Sequence, residues 1–328
     1  MSNHVLKIHA LSVCFPTGSG MYPAVENLSL SVKQGEIFGI VGESGCGKSL
    51  TALSVLRLLP EKEALVQGEI WVDGENVLQL SEKQMQRNIR SKKVSMIFQE
   101  PMTSLNPLLT VGEQIAEVLR VHKGMGKPAA WEEAIRYLKL SGIPDPAQRA
   151  KAYPHQLSGG QRQRVMIAIA LCCQPKLLIA DEPTTALDVT MQAQILQRMK
   201  TLQEETGTSI VMITHDLGVI AEMCHRVAVM YCGSIVEEGA VGDVLHHPAH
   251  PYTQGLLHAI PRLDSAIRLL YSIPGTVPQR HRLPQGCRFA DRCPHCKPVC
   301  RNKIPNSTSL KDGHWVRCFM YERSLYEA

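Results

Sequence analysis

The chain has 328 residues, 44% of them hydrophobic and 20% charged, with a mean hydropathy of −0.08. These are ordinary globular values, and they exclude a disordered, fibrous or membrane-embedded chain. A formal charge of +5 from 35 basic and 30 acidic residues and a pI of about 8.6 fall short of the basic excess of a nucleic-acid binder, so no nucleic-acid partner is expected.

At about 150 residues per domain, the length suits one large domain or one with a small appendage. His4, Lys7 and His9 interrupt the apolar N-terminal stretch and no small-residue cleavage site follows, so no secretory signal is expected. Leu6, Ile8, Leu11, Val13 and Phe15 nearly alternate, and Leu28, Leu30 and Val32 alternate cleanly before Gln34-Gly35. Both patterns predict antiparallel strands at a sheet edge. Ile37 to Val41 is a continuous apolar run, the pattern of a buried strand, and it leads through a glycine-rich loop into an apolar helix predicted over Ser49 to Leu59.

From about residue 100 to Cys173 the chain reads as a helical insertion punctuated by Pro101, Pro107, Pro144, Pro146 and Pro154. Strand and helix alternate again from Leu177: strands over Leu177 to Ala180, Ser209 to Ile213 and Val227 to Met230, and helices over Met191 to Glu205 and Leu217 to Cys224. That alternation is the signature of a parallel α/β sheet. Beyond Gly239 the composition shifts toward His, Pro, Arg and Cys, which predicts a small C-terminal appendage. The longest apolar run, Val165 to Cys173, has about half the roughly 18 residues of a membrane span. The chain is therefore expected in the cytosol, without crossing a membrane by itself.

Gly42-Glu43-Ser44-Gly45-Cys46-Gly47-Lys48-Ser49 fits G-x-x-x-x-G-K-[ST] between a buried strand and a helix opening at Ser49-Leu50, the context a phosphate-binding loop needs. Glycines let backbone N–H groups turn inward around phosphate oxygens, and the helix N-terminus adds its positive dipole end. Lys48 would bind the β- and γ-phosphates, and Ser49 would offer its hydroxyl to Mg²⁺. Leu177 to Glu182 is an apolar strand ending in two carboxylates, at the end of a strand where open α/β sheets bind ligands. Asp181 is the candidate Mg²⁺ holder, and Glu182 is placed to polarise an attacking water. Taken alone, this pair before Pro183 would more readily be read as a helix cap.

Between these elements lies Leu157-Ser158-Gly159-Gly160-Gln161, and with it the sequence resembles the ATP-binding-cassette ATPases, whose signature is LSGGQ. The resemblance implies an α/β nucleotide-binding domain with a P-loop parallel sheet core, an antiparallel β edge, a helical insertion and a small Cys-rich C-terminal appendage. Expected boundaries are 1–240 for the ATPase domain, with a helical subdomain at about 100–173, and 241–328 for the C-terminal region. Bound nucleotide implies contacts from the whole loop, Gly42, Glu43, Ser44, Gly45, Cys46, Gly47, Lys48, Ser49 and Leu50. The resemblance also implies that ATP lies between two cassettes, with Ser158, Gly159, Gly160 and Gln161 of one facing the phosphate loop of the other. Ala186-Leu187-Asp188 matches the D-loop across that interface. Gln99 matches the glutamine that reaches Mg²⁺ and the attacking water, and His215 matches the switch histidine at the γ-phosphate. Phe15 is the expected adenine-stacking aromatic, with Tyr22 in the same loop region as the other candidate.

Gln99 to Pro107 (QEPMTSLNP), Tyr153-Pro154-His155-Gln156, His250 to Gln254 (HPYTQ) and Ile273 to Pro278 (IPGTVP) resemble one subfamily, the dipeptide/oligopeptide/nickel importer ATPases. This implies an ATP-hydrolysing subunit energising an importer, with di- or oligopeptides as cargo and nickel or another small solute as the alternative. The implied partners are two transmembrane permease subunits, a second ATPase subunit (a copy or a paralogue) and, indirectly, an extracytoplasmic solute-binding protein. The implied place is the cytoplasmic face of the membrane. A soluble non-transport cassette is disfavoured, because such proteins usually carry two cassettes or long coiled-coil insertions and this chain has one cassette and no heptad run.

The chain has 11 cysteines, and Cys287, Cys293, Cys296, Cys300 and Cys318 crowd its tail. In a reducing compartment such a cluster more often binds metal than forms disulfides. The subfamily resemblance links a tail of this kind to a [4Fe–4S] cluster, and it selects Cys287, Cys293, Cys300 and Cys318 while leaving Cys296 over. Four thiolates suit tetrahedral zinc as well, and free thiols packing a small lobe are the remaining reading.

Overall fold

Short apolar runs without alternation form the centre of the fold in the computed structural model, which describes residues 4–18, 20–60, 62–99, 104–185, 188–260, 271–278 and 283–322. Three of its strands, β3 (Ile37–Val41), β7 (Leu177–Asp181) and β8 (Ser209–Thr214), are buried at every position. With β6 (Val94–Ile97) they pair in parallel, β6 on β7, β7 on β8 and β8 on β3. Burial on both faces is why these strands do not alternate. β9 (Arg226–Tyr231) adds in parallel beside β3, and β10 (Ser234–Ala240) turns back antiparallel on β9.

The N-terminal antiparallel strands, expected at an edge of this sheet, form a sheet of their own. β1 (His4–Thr17), β2 (Gly20–Lys33), β4 (Leu65–Val72) and β5 (Glu75–Asn76) run in the order β2-β1-β4-β5. Their inward residues, among them Leu11, Val13, Leu28 and Ile70, pack on Phe38, Ile40, Ile179 and Val211 of the parallel sheet in one core. The imperfect alternation in β1 has a local cause. Ala10 has φ 49° and the pairing shifts register between Ile8 and Leu11, a bulge that lets both side chains face inward.

Helices cover the other face. α1 (Lys48–Leu56) ends at Arg57, which takes φ 50° and closes the helix three residues before the predicted end at Leu59. The helical insertion contains α2 (Val111–Lys123), capped by the Thr110 hydroxyl and closed by Gly124 at φ 67°, and α3 (Lys127–Leu140). Next come α4 (Gly159–Leu171), α5 (Val189–Thr206) and α6 (Leu217–Met223). Leu119, Val165, Ile167, Ile195 and Met199 pack from these helices against Ile97, Leu178, Ile210 and Met212 of the sheet.

The C-terminal segment is knitted into the cassette rather than appended to it. After α7 (Val241–His246) and α8 (Pro251–His258), the strands β11 (Ser307–Lys311) and β12 (His314–Arg317) return and extend the main sheet, whose order is β11-β12-β10-β9-β3-β8-β7-β6. Tyr252 and Phe289 share a core with Val41, Val229 and Tyr231. Among the described residues, no helix is long and apolar enough to cross a membrane.

Candidate functional site: a phosphate loop facing an acidic strand end

Residues 42–49 join β3 to α1 at the carboxyl edge of the parallel sheet. Gly45 and Gly47 have φ 78° and 106°, backbone that side-chain-bearing residues rarely adopt. Gly42 is required for a different reason, since a Cβ there would overlap the Met230 carbonyl oxygen. Lys48 is buried, and its Nζ donates to the carbonyl oxygens of Gly42 at 2.7 Å and Glu43 at 3.1 Å. The ammonium group is thus held over the loop's hollow by groups that phosphate oxygens can replace.

Asp181 ends β7, buried, with the Ser49 hydroxyl hydrogen-bonded to its carboxylate. Burial raises its pKa above the ordinary carboxylate value against the lowering effect of Ser49, and the neighbouring Glu182 raises it further. Its Oδ1 is buried without a hydrogen-bond partner. An orphaned carboxylate oxygen beside a serine hydroxyl is an oxygen donor set that fits a hard divalent cation such as Mg²⁺.

Glu182 follows at φ 47°, an unusual backbone for a glutamate, held by the hydrogen bond from its N–H to the Ile213 carbonyl at 2.8 Å. Its side chain gathers three groups from three elements. Thr185 Oγ1 donates to Oε2 at 2.9 Å, Gln99 Nε2 donates to Oε2 at 3.2 Å, and His215 Nδ1 lies 3.3 Å from Oε1. Burial alone would raise the Glu182 pKa, but the Thr185 and His215 contacts outweigh it and hold the group below its ordinary value. The carboxylate therefore stays ionised, as a base must. Thr185 carries no sequence signal beyond its place after the acidic pair, and only the turn geometry reveals it.

The signature segment sits where the sequence predicts, at a helix start. Ser158 caps α4 with its hydroxyl accepting from the Gln161 N–H at 3.3 Å, while the Gln161 side chain accepts from the Ser158 N–H at 3.1 Å. Ser158 and Gly159 are exposed and Gly160 is buried. Gln163 of the same helix donates to the Pro183 carbonyl, tying the signature helix to the acidic turn. Asp188 caps α5, accepting from the Met191 N–H at 2.9 Å. Its D-loop neighbours Ala186 and Leu187 lie outside the described residues. Phe15 pairs with Tyr22 across β1 and β2 and packs partly buried on the core under that sheet. His250 is buried as the cap of α8, its Nδ1 accepting from the Tyr252 N–H at 3.0 Å.

Cys287, Cys293, Cys300 and Cys318 line one small cavity. Burial first, and then the neighbouring cysteines, raise the Cys287 and Cys318 thiols to about 12 and about 11. Among the described residues, however, no group of three or more His, Cys, Asp or Glu side chains is arranged to hold a metal ion. The expected iron–sulfur cluster is therefore not supported by this arrangement, although its four cysteines do share a wall.

A phosphate cradle, a serine–carboxylate pair and an ionised glutamate at the carboxyl end of a parallel sheet define a P-loop ATPase. Residues 25–185 match the family described as ABC transporter, and residues 236–300 match the oligopeptide/dipeptide transporter C-terminal region. The chain is 51% identical over 325 residues to the dipeptide transport ATP-binding protein DppD of Bacillus subtilis, covering 99% of this chain and 97% of that one. It is 49% identical to the oligopeptide transport ATP-binding protein OppD of Salmonella typhimurium, covering 97% and 94%. The dimeric ATP-binding cassette MJ0796, in a post-hydrolysis state with ADP and Pi, superposes with a TM-score of 0.64 at 31% identity, over 72% of this chain and 98% of that one. The chain belongs to the ABC transporter ATP-binding proteins, and it is an ATPase of that family.

Proposed function

We propose that this chain is the ATP-hydrolysing subunit of an importer for di- or oligopeptides, working at the cytoplasmic face of the membrane. Hydrolysis is carried by the placement of Glu182 beside Gln99, Thr185 and His215. Peptide cargo is supported by the relatives named for dipeptide and oligopeptide transport, which match almost end to end. Lys48 exchanges its loop carbonyls for the β- and γ-phosphates of ATP. Glu182 accepts a proton from the water that attacks the γ-phosphorus in line, and His215 and Gln99 orient that water and the terminal phosphate. Ser49, Asp181 and Gln99 would hold Mg²⁺, which would supply charge neutralisation at the phosphates. Ser158, Gly159, Gly160, Gln161 and Asp188 serve the nucleotide of a second ATPase subunit, and Phe15 stacks on adenine.

The partners are two permeases and a second cassette, with a solute-binding protein engaged indirectly. The test is to tag the chain in its host, solubilise the membranes gently and identify what co-purifies in stoichiometric amounts. Two permeases and a second cassette are expected. Recovery only with ribosomes or DNA-repair proteins would overturn the transport reading and leave the ATPase chemistry standing.

A [4Fe–4S] cluster on Cys287, Cys293, Cys300 and Cys318 rests on the resemblance of the cysteine tail; the four cysteines line one cavity but, among the described residues, do not form a preformed metal-holding group. Anaerobically purified protein is then expected to be brown, with about four irons per chain. Colourless protein with five reactive thiols in this region would remove the cluster.

A further inference from the structure

Glu43, the second residue of the phosphate loop, is gripped from the far end of the chain. Arg292 donates from Nη1 to Glu43 Oε2 at 2.7 Å and from Nη2 to Oε1 at 3.0 Å, a bidentate fork. The Arg292 side chain is only 5% exposed. It is itself fixed, with Nε donating to the Pro274 carbonyl at 3.1 Å and Nη1 reaching the Tyr231 hydroxyl at 3.3 Å, among the rings of Tyr231 and Phe289. A second contact holds the same residue, because the Glu43 N–H donates to the buried Tyr252 hydroxyl at 2.8 Å. The Glu43 carbonyl in turn receives Lys48 Nζ. A chain of hydrogen bonds thus runs from the C-terminal segment, beside Cys293, to the lysine that meets the nucleotide.

The sign of the charges gives this contact a function. A carboxylate in a loop that must receive a polyanion repels it, and in the reduced dielectric of a protein such repulsion is screened far less than in water. We propose that Arg292 is a positioning residue for nucleotide binding: its fork neutralises Glu43 and holds that carboxylate turned toward the C-terminal segment, so that the phosphate loop accepts ATP only when this segment is docked. The proposal rests on the ATPase reading and adds a control point to it, since whatever loosens the segment around Arg292 weakens nucleotide binding.

The test is MgATP affinity of the full-length chain, read by titration on the wild type, Arg292→Ala, and Arg292→Ala combined with Glu43→Gln. Arg292→Ala is expected to weaken MgATP binding about tenfold at low salt, and the deficit is expected to shrink as salt screens the unmasked charge. Removing the Glu43 charge in that background is expected to recover most of the loss, and a merely structural lesion would not be relieved by a second substitution. In the assembled transporter, KM for ATP is expected to rise more than kcat falls. A folded Arg292→Ala with affinity within twofold of wild type would overturn the proposal, as would a loss that Glu43→Gln does not relieve. If Arg292→Ala does not fold, Arg292→Lys, which keeps the charge but not the fork, is expected to lose severalfold less than Arg292→Gln, and equal losses would count against it. A wild-type chain that does not bind MgATP would overturn the ATPase reading itself, and this inference with it.

Discussion

Glu182→Gln is expected to bind MgATP as tightly as the wild type while losing turnover by about 10²–10⁴-fold, the range for removal of a positioned general base. Glutamine keeps the size and planarity of the side chain, so its amide oxygen still accepts from Thr185 Oγ1, which lies 2.9 Å from the carboxylate. The lost property is basicity. The native carboxylate is held below its ordinary pKa because the Thr185 and His215 contacts overcome the raising effect of burial, and an amide accepts no proton at any accessible pH. Phosphate release in a single turnover of the assembled transporter separates this from a binding defect. Turnover within threefold of wild type would sink the assigned role, and a parallel loss of MgATP affinity would reassign Glu182 to binding.

His215 sharpens the same result. Its side chain is 65% exposed and lies 3.3 Å from Glu182, so little of the site's packing depends on it. The strained glutamate backbone at φ 47° is held by the β8 carbonyl of Ile213 and does not depend on the histidine. Removing the base is thus expected to cost more than removing its orienter.

The parts of this molecule that were legible in the sequence are those whose physics is local. The buried strands β3, β7 and β8 announce themselves as short apolar runs, because burial on both faces removes every polar position. The phosphate loop and the acidic strand end are legible because glycine, lysine and carboxylate are required by chemistry at fixed spacing. Alternation marks the N-terminal strands as antiparallel, but their separation into a second sheet depends on Ile40 and Val211 lying beneath them, which no local pattern encodes. No pattern predicts β11 or β12, since both strands are short, Ser307–Lys311 is mostly polar and exposed, and His314–Arg317 has only four residues. The contacts on Glu43 were invisible for a related reason, because Tyr252 and Arg292 lie 209 and 249 residues away along the chain. The cysteine tail is the opposite case. Its spacing suggested a metal site, the cavity brings the four thiols to one wall, and yet ligand distances are a property of packing that spacing alone does not carry.

Glu237→Ala is expected to cost about 3–5 kcal/mol, the range for stripping one partner from a buried charged network. Glu237 lies in β10 with no exposed surface. Its two oxygens accept from the N–H groups of Ala249 at 2.8 Å and His250 at 2.9 Å, and His314 Nε2 lies 2.9 Å from Oε1. One carboxylate therefore joins the main sheet to the turn before α8 and to the returning strand β12, the same region that carries Tyr252 to the phosphate loop. Alanine leaves three buried polar groups without a partner, each costing about 1–3 kcal/mol, with relaxation recovering part of the sum. At about 1.5 °C per kcal/mol for a chain of this size, the melting temperature should fall by about 4–7 °C. Glu237→Gln keeps one acceptor oxygen and should lose roughly half as much. The decisive comparison is melting with and without saturating MgATP. Because the damage lies in the C-terminal segment that braces the loop, nucleotide is expected to raise the melting temperature of Glu237→Ala less than that of the wild type. An equal shift in both would mean that the lobe can loosen at Glu237 without releasing Glu43.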